Sequence, residues 1–367
     1  MRHIGWLDVK ADEKPNIKDL SASEFAEFLA AAKQPAYRAK QICQWLFREH
    51  VTDFAAMTNL PTDLREQLDK SFTIGRLAIL RRHESDDGAV KLLFGLADGR
   101  SIESVLIPEK RRLTLCISTQ VGCAYGCAFC ATALLGFKRN LTCGEIIEQI
   151  LEAGRTLSDD RRISNIVVMG MGEPLANYAQ TLRAIEIMVD AVWGLGIAPR
   201  KITLSTVGLV PQIQKLMEET NVTLAISLHA ASEELRGRLM PINRKYSLEQ
   251  LIDCCRNLPL PRRKRITFEY VLLGGVNDSV ADAAALCRLL RGVPSKVNLI
   301  PFNPHPGSEF HRPSDEAVER FKQVLFDHKL QVNVRRPRGD DIAAACGQLQ
   351  GQVQRELLVS VAPVAAN

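Results

Sequence analysis

From Leu113 onward, short apolar runs alternate with amphipathic helical ones almost to the end of the chain, and that alternation leaves few folds open. Strands are predicted at 113–118, 165–169, 201–205, 222–227, 265–272, 296–300 and 331–335, with helices at 142–154, 177–192, 247–257, 280–290 and 315–328 among those between them. Strand–helix–strand alternation specifies a parallel sheet with crossover helices. Seven such strands specify an α/β fold, a partial TIM-type barrel open on one side, with its chemistry at the C-terminal strand ends. The chain then divides into a helical unit at 1–75, a β extension at 76–110, the barrel at 111–350 and a tail at 351–367, of which 359–367 is expected to be disordered. In the helical unit Ser21 and Glu24 have capping-box spacing, and Ile42, Leu46 and Phe47 share a helical face; a third helix starts within 59–68. In the extension, runs at 91–96 and 101–107 flank Asp98 and Gly99, a hairpin turn signal. Strict alternation puts Glu103 on the face of Val105 and Ile107. There it is either an edge residue facing solvent or a base whose proton affinity its surroundings raise.

Cys123, Cys127 and Cys130 follow the first barrel strand with C-x3-C-x2-C spacing. A closed structural zinc site takes four ligands, usually as two separated pairs, and a saturated iron–sulfur cubane takes four cysteines. Three thiolates leave one iron of a cubane free to chelate the amino and carboxylate groups of S-adenosylmethionine, whose C–S bond breaks on reduction to release a 5′-deoxyadenosyl radical. The spacing is similar to that of radical-SAM enzymes. The alternative is a zinc knuckle borrowing Cys116 or Cys143. Other strand ends carry residues that suit the first reading. Gly-Met-Gly-Glu-Pro at 170–174 offers glycines for close backbone approach to a ligand, and Glu173 for an ammonium. Ser205 ends the third strand, the run Ser227, Leu228, His229 the fourth, and Asn303 the sixth; their short polar groups suit ribose and carboxylate. Cys346 lies beyond the last strand beside Gly347, and Cys116 alternates in phase with Thr114 and Ser118, toward the barrel interior. Cys43, Cys143, Cys254, Cys255 and Cys287 read as small hydrophobes.

Ten cysteines in 367 residues form no short, evenly spaced disulfide framework. The N-terminus is polar, and no apolar run approaches the roughly 20 residues of a membrane helix. The expectation is a cytoplasmic protein in a reducing compartment, with no membrane association. A net charge of +5 permits a polyanionic partner without requiring one. Basic stretches at 111–112, 262–265 and 335–338 either meet phosphates or are solvated loops. Tyr37, Arg38, Lys40, Gln41 and Gln44 either stack on and contact nucleic acid or belong to a helical cap.

The cysteine loop, Gly-Met-Gly-Glu-Pro, Ser-Leu-His at 227–229, Asn-Leu-Ile-Pro-Phe-Asn-Pro at 298–304 and Arg-Gly-Asp-Asp-Ile-Ala-Ala-Ala-Cys-Gly-Gln-Leu at 338–349 together resemble the RlmN/Cfr family of radical-SAM RNA methyltransferases, over about 37–350. The resemblance implies methylation of an adenine ring carbon with two S-adenosylmethionines per turnover. Cys346 takes a methyl group from one; a radical made from the second removes hydrogen from that S-methyl, and the methylene radical adds to the adenine. It further implies one 4Fe-4S cluster on Cys123, Cys127 and Cys130, and cofactor contacts at Gly172, Glu173, Ser205, Ser227, Leu228, His229 and Asn303. Glu103 is implied as the proton acceptor, and Cys116 as the residue that resolves the protein–RNA thioether through a transient disulfide with Cys346. The segment 268–278 resembles the carbon-2 branch, whose substrates are 23S rRNA and tRNA, more than the carbon-8 branch. A monomer served by an external electron donor is expected. The rival readings are a carbon-8 methyltransferase and a non-catalytic, zinc-bound RNA-binding protein.

Overall fold

The computed structural model describes residues 14–110, 112–158 and 160–350, so Arg111 and the tail at 351–367 lie outside the described residues. Three helices come first, α1 (Ala22–Ala31), α2 (Arg38–Phe47) and α3 (Thr62–Ser71), packed through Phe25, Leu29, Ile42, Leu46, Leu64 and Leu68. Ser21 and Glu24 close the capping box on α1. The chain then runs through β1 (Ala78–Glu84), β2 (Val90–Gly95), β3 (Ser101–Glu109) and β4 (Arg112–Cys116), each antiparallel to the last. The cysteine loop follows, with β5 (Gln120–Val121), α4 (Ala131–Leu134) and β6 (Arg139–Asn140). From there the elements alternate: α5 (Cys143–Arg155), β7 (Asn165–Val168), α6 (Tyr178–Val189), β8 (Ile202–Thr206), α7 (Val210–Glu219), β9 (Thr223–Ser227), α8 (Glu233–Leu239), α9 (Leu248–Asn257), β10 (Ile266–Leu272), α10 (Val280–Leu289), β11 (Ser295–Pro301), α11 (Asp315–Asp327) and β12 (Gln331–Val334).

Ten strands form one sheet in the order β1-β2-β3-β4-β7-β8-β9-β10-β11-β12. Every neighbour pair from β4 to β12 is parallel. This is the partial barrel, with its seven strands where the apolar runs place them. All seven residues of β10 are buried, because helices cover one face and barrel side chains the other. Thr142, Ser247 and Ser279 cap α5, α9 and α10 with side-chain hydrogen bonds, which fixes where each helix starts.

Two features differ from the sequence reading. The hairpin at 91–107 gains a third strand, β1, exposed along its whole length; no face of it is buried, so the sequence carries no alternation to reveal it. The basic stretch 262–265 precedes β10 and so lies at the N-terminal ends of the strands, away from the mouth where chemistry gathers. Lys264 there donates to the Asn221 carbonyl at 3.0 Å and Arg265 to Gln331 at 2.7 Å.

The helical unit is fastened to α5. Lys18 is fully buried, donates to the Gly75 carbonyl at 3.0 Å and pairs with Glu148, which Arg155 also reaches at 3.0 Å. Asp19 accepts the Gly144 N–H at 2.6 Å, and Arg76 pairs with Glu152 at 2.8 Å. Lys18→Met should therefore destabilise the fold by roughly 2–3 kcal/mol. Arg155 still faces Glu148, which keeps the loss below the ~3–5 kcal/mol of an uncompensated buried charge. Urea unfolding checks this; a loss under about 0.5 kcal/mol, the range of ordinary surface changes, would show that the pair does not secure the interface.

Candidate active site

A cavity of about 950 Å³, counted to the solvent at its mouth, opens at the C-terminal ends of the parallel strands. Cys123, Cys127 and Cys130 line it from the loop after β4. That loop is held from several sides: Ala128 N–H donates to the Leu239 carbonyl at 2.9 Å and Ala131 N–H to the Gly347 carbonyl at 2.7 Å. Burial, with mutual repulsion among the thiols, pushes Cys127 well up, and Cys123 is raised to about 11 mainly by burial. Thiols so placed ionise when a cation takes them as ligands. Among the described residues no three Cys, His, Asp or Glu groups converge on a single ion. A cubane asks for something different, thiolates spread over three of its corners.

The remaining predicted cofactor contacts face the same space. Glu173 is buried, its Oε1 accepting from Leu175 N–H at 3.0 Å and its Oε2 from Val207 N–H at 2.8 Å, and burial raises it to about 7. A carboxylate fixed by two backbone donors yet short of a cation suits an ammonium ligand. The glycines before it also meet a need of the fold itself. A Cβ on Gly170 would stand 2.7 Å from the Ile117 carbonyl, and one on Gly172, at φ +97°, 2.5 Å from Gln120. They let this turn press against the chain that follows β4, at Ile117 and at Gln120 in β5, and both line the cavity. Ser205 and Ser227, on neighbouring strands, bring their hydroxyls within 3.5 Å. His229 adopts φ +59° and accepts the Val271 N–H on Nδ1 at 3.0 Å. Burial lowers it to about 3, so it is neutral, with its proton on Nε2 as the remaining donor. Leu228 is different: its side chain is buried outside the cavity lining, and its N–H is spent on the Glu269 carbonyl at 3.0 Å. Asn303 lines the cavity with a buried Oδ1 that has no hydrogen-bond partner among the described residues. An orphaned acceptor, a cation-poor carboxylate and two hydroxyls fit the polar end of S-adenosylmethionine beside a cluster.

The segment after β12 bridges the open side of the barrel. Asp341 accepts from the Ser85 hydroxyl at 2.5 Å, Gly339 N–H donates to Asp87 at 3.0 Å, and Lys91 donates to the Ala343 carbonyl at 3.1 Å. On the other side, the Thr132 hydroxyl holds the Leu349 carbonyl at 2.8 Å. So anchored, Cys346 reaches the cavity. Glu103 is buried rather than facing solvent; its Oε1 lies 3.4 Å from the Lys91 ammonium and its Oε2 accepts the Gln350 N–H at 2.8 Å. Cys116 is buried behind the cavity wall, close enough to Cys346 that the two thiols repel each other's charge. Burial pushes it up to about 12, against the pull of Arg335. Cys43, Cys143, Cys254, Cys255 and Cys287 are all buried and unpaired.

Three charged residues of the site were not legible as such. Arg335 is part of the basic stretch 335–338, yet it lines the cavity, held strongly charged first by Cys346 and then by Glu269 and Cys116. Arg236, fully buried, ties the strand ends together by donating to Val207 O at 2.9 Å and Asn243 at 2.7 Å, and its charge neighbours Cys127. Glu269, on β10, lines the cavity and keeps one buried oxygen without a hydrogen-bond partner among the described residues.

Comparison with known proteins agrees with this geometry. The model of the radical SAM superfamily matches residues 117–287, and that of the ribosomal RNA large subunit methyltransferase N-terminal domain matches residues 15–74. The chain is 51% identical over 339 residues to the dual-specificity RNA methyltransferase RlmN of Desulfosudis oleivorans, covering 92% of this chain and 91% of that protein. It is 50% identical over 342 residues to the RlmN of Geobacter sulfurreducens, covering 93% and 94%. A crystal structure of a radical SAM methyltransferase from Sphaerobacter thermophilus superposes with a TM-score of 0.87 at 46% identity, over 92% of this chain and all of that one.

Proposed function

The chain belongs to the RlmN family of radical-SAM methyltransferases, and from that premise we propose that it methylates carbon-2 of adenine in 23S rRNA and tRNA through Cys346. The protein is an enzyme, with one 4Fe-4S cluster and S-adenosylmethionine as its cofactors. No helix among the described residues is long and apolar enough to cross a membrane. We further take it to act in the cytoplasm as a monomer supplied by an external electron donor. In our division of labour residues 1–75 form an RNA-facing accessory unit, 76–110 carry Glu103, 111–350 perform the chemistry and 351–367 form the tail.

The observation that carries the reading is Cys346. A thiol surplus to the three cluster ligands is held on the rim of their cavity, with Cys116 next to it. When bound, the cluster and S-adenosylmethionine supply a methyl group and a carbon radical able to take hydrogen from a methyl C–H. Cys123, Cys127 and Cys130 hold the cluster. Glu173 receives the ammonium of the methionyl end, and Asn303 Oδ1 and His229 Nε2–H face the rest of that ligand. Cys346 carries the methyl group to the adenine. Glu103, held beside the Cys346 loop by Lys91 and Gln350, accepts the proton lost from the ring carbon. Cys116 attacks the sulfur of Cys346 to free the RNA.

Mass spectrometry of nucleosides from cells with and without this protein tests the proposal. We expect 2-methyladenosine to disappear from both RNAs when the protein is removed. Loss of 8-methyladenosine instead would move the chain to the carbon-8 branch, and unchanged methyladenosines would overturn the proposal.

A further inference from the structure

Glu269 sits in the middle of β10, paired in register with Ser227 on β9 and Asn298 on β11. It is buried, and its Oε1 accepts from Asn298 Nδ2 at 2.9 Å. Its Oε2 is equally buried and has no hydrogen-bond partner among the described residues, in a side chain that lines the cavity. A buried carboxylate oxygen left unpartnered inside a binding cavity is an acceptor waiting for a donor on a ligand.

The neighbours indicate which ligand. Burial raises the Glu269 carboxyl while the charges of Arg335 and Lys296 hold it down, and the Arg335 charge also acts on Cys346 and Cys116. An acceptor, a cationic donor and the sulfur proposed to carry the methyl group thus line the same cavity, with Arg335 interacting with both of the others. Adenine presents the complementary edge: the 6-amino group is a donor, N1 next to it is an acceptor, and carbon-2 follows directly. The residues assigned to S-adenosylmethionine are others, namely Gly172, Glu173, Ser205, Ser227, His229 and Asn303.

We propose that Glu269 is the specificity residue for the target base, accepting a hydrogen bond from its 6-amino group while Arg335 faces N1, so that carbon-2 is turned toward Cys346. This rests on the adenine carbon-2 function proposed above. Guanine and inosine carry an oxygen at position 6 and a hydrogen on N1, so they set acceptor against carboxylate and donor against guanidinium; both are excluded by the same pair.

The test uses reconstituted holoenzyme and two synthetic RNA fragments, one carrying adenosine at the methylated position and one purine riboside, which lacks only the amino group. The wild type should prefer adenosine by about 10- to 100-fold in both Kd and kcat/KM, the range for a buried hydrogen bond to a charged group. In Glu269→Gln, the carboxamide oxygen stays with Asn298 Nδ2 and its NH2 meets the amino group, so the preference should fall to within about threefold of unity. Glu269→Asp, which keeps the charge but withdraws it, should lie between. Cleavage of S-adenosylmethionine without RNA is read alongside. Equal losses on both RNAs would make Glu269 merely structural, and loss of RNA-free cleavage with the preference intact would make it a cofactor contact; either overturns the proposal. A wild type that does not distinguish the two RNAs overturns it whatever the variants do. A wild type that methylates neither RNA removes the function proposed above, and this inference with it.

Discussion

Alanine at Cys123, Cys127 or Cys130 should each give a folded, colourless protein with no reductive cleavage of S-adenosylmethionine. Folding survives because the loop is also supported by backbone hydrogen bonds to Leu239 and Gly347 that do not involve the thiols, none of which forms a disulfide. The cluster does not survive, because two thiolates cannot hold a cubane that already lacks a fourth cysteine. Outer-shell changes at metal sites cost roughly 10- to 100-fold, and loss of a ligand here should exceed that range, leaving activity at background. Anaerobic reconstitution followed by iron and sulfide analysis, visible absorbance and an assay for 5′-deoxyadenosine reads all three variants. Wild-type cleavage in any one of them would remove that cysteine from the ligand set. Arg236 makes a useful contrast: it neighbours Cys127 through charge and not as a ligand, so its loss should loosen strand ends without erasing the chromophore.

The parts of this molecule that were legible in sequence are those encoded locally. The barrel strands announce themselves as short apolar runs, most completely in β10, where burial on both faces removes alternation, and the helix starts at Thr142, Ser247 and Ser279 because a cap needs only its own third neighbour. The cysteine triplet is local too. Glu269 and Arg335 are encoded only by topology. Nothing near Glu269 in sequence marks it as a site residue, and Arg335 belongs to a run that reads as phosphate contact or solvated loop, until parallel pairing brings β10 and β12 around one cavity. The glycines at 170 and 172 show a subtler limit: their need for space was readable, but the neighbours that impose it, Ile117 and Gln120 some fifty residues earlier, were not. Lys18 shows the same limit. Nothing near it in sequence pairs with it, and Glu148 meets it only once the helical unit docks on α5.

Cys116→Ala should trap the RNA on the protein, whereas Cys346→Ala should not. Cys346 carries the methyl group, so without it no carbon joins sulfur to adenine, and neither product nor adduct forms. Cys116 enters after that bond exists: its thiolate attacks the Cys346 sulfur, an S–S bond forms, and the methylene carbon departs with the pair from the S–C bond and takes up a proton to become the methyl group. The exchange requires the two sulfurs within bonding reach, and the structure brings Cys116 close enough to Cys346 for their charges to interact, with no disulfide between them. Without Cys116 the thioether persists, and a denaturing gel should show a nuclease-sensitive shifted band approaching one RNA per active enzyme. Burial places the Cys116 thiol at about 12, so over the working range its thiolate is scarce and grows with pH. Release by the wild type should accelerate by roughly tenfold per pH unit while this step limits turnover, and transient adduct should fall accordingly. Arg335 opposes the burial, so Arg335→Gln should lengthen the adduct's life in the same direction as lowering the pH. Normal turnover by Cys116→Ala, or the same band from both cysteine variants, would mean that the methyl-carrying cysteine is not resolved by its buried neighbour in this chain.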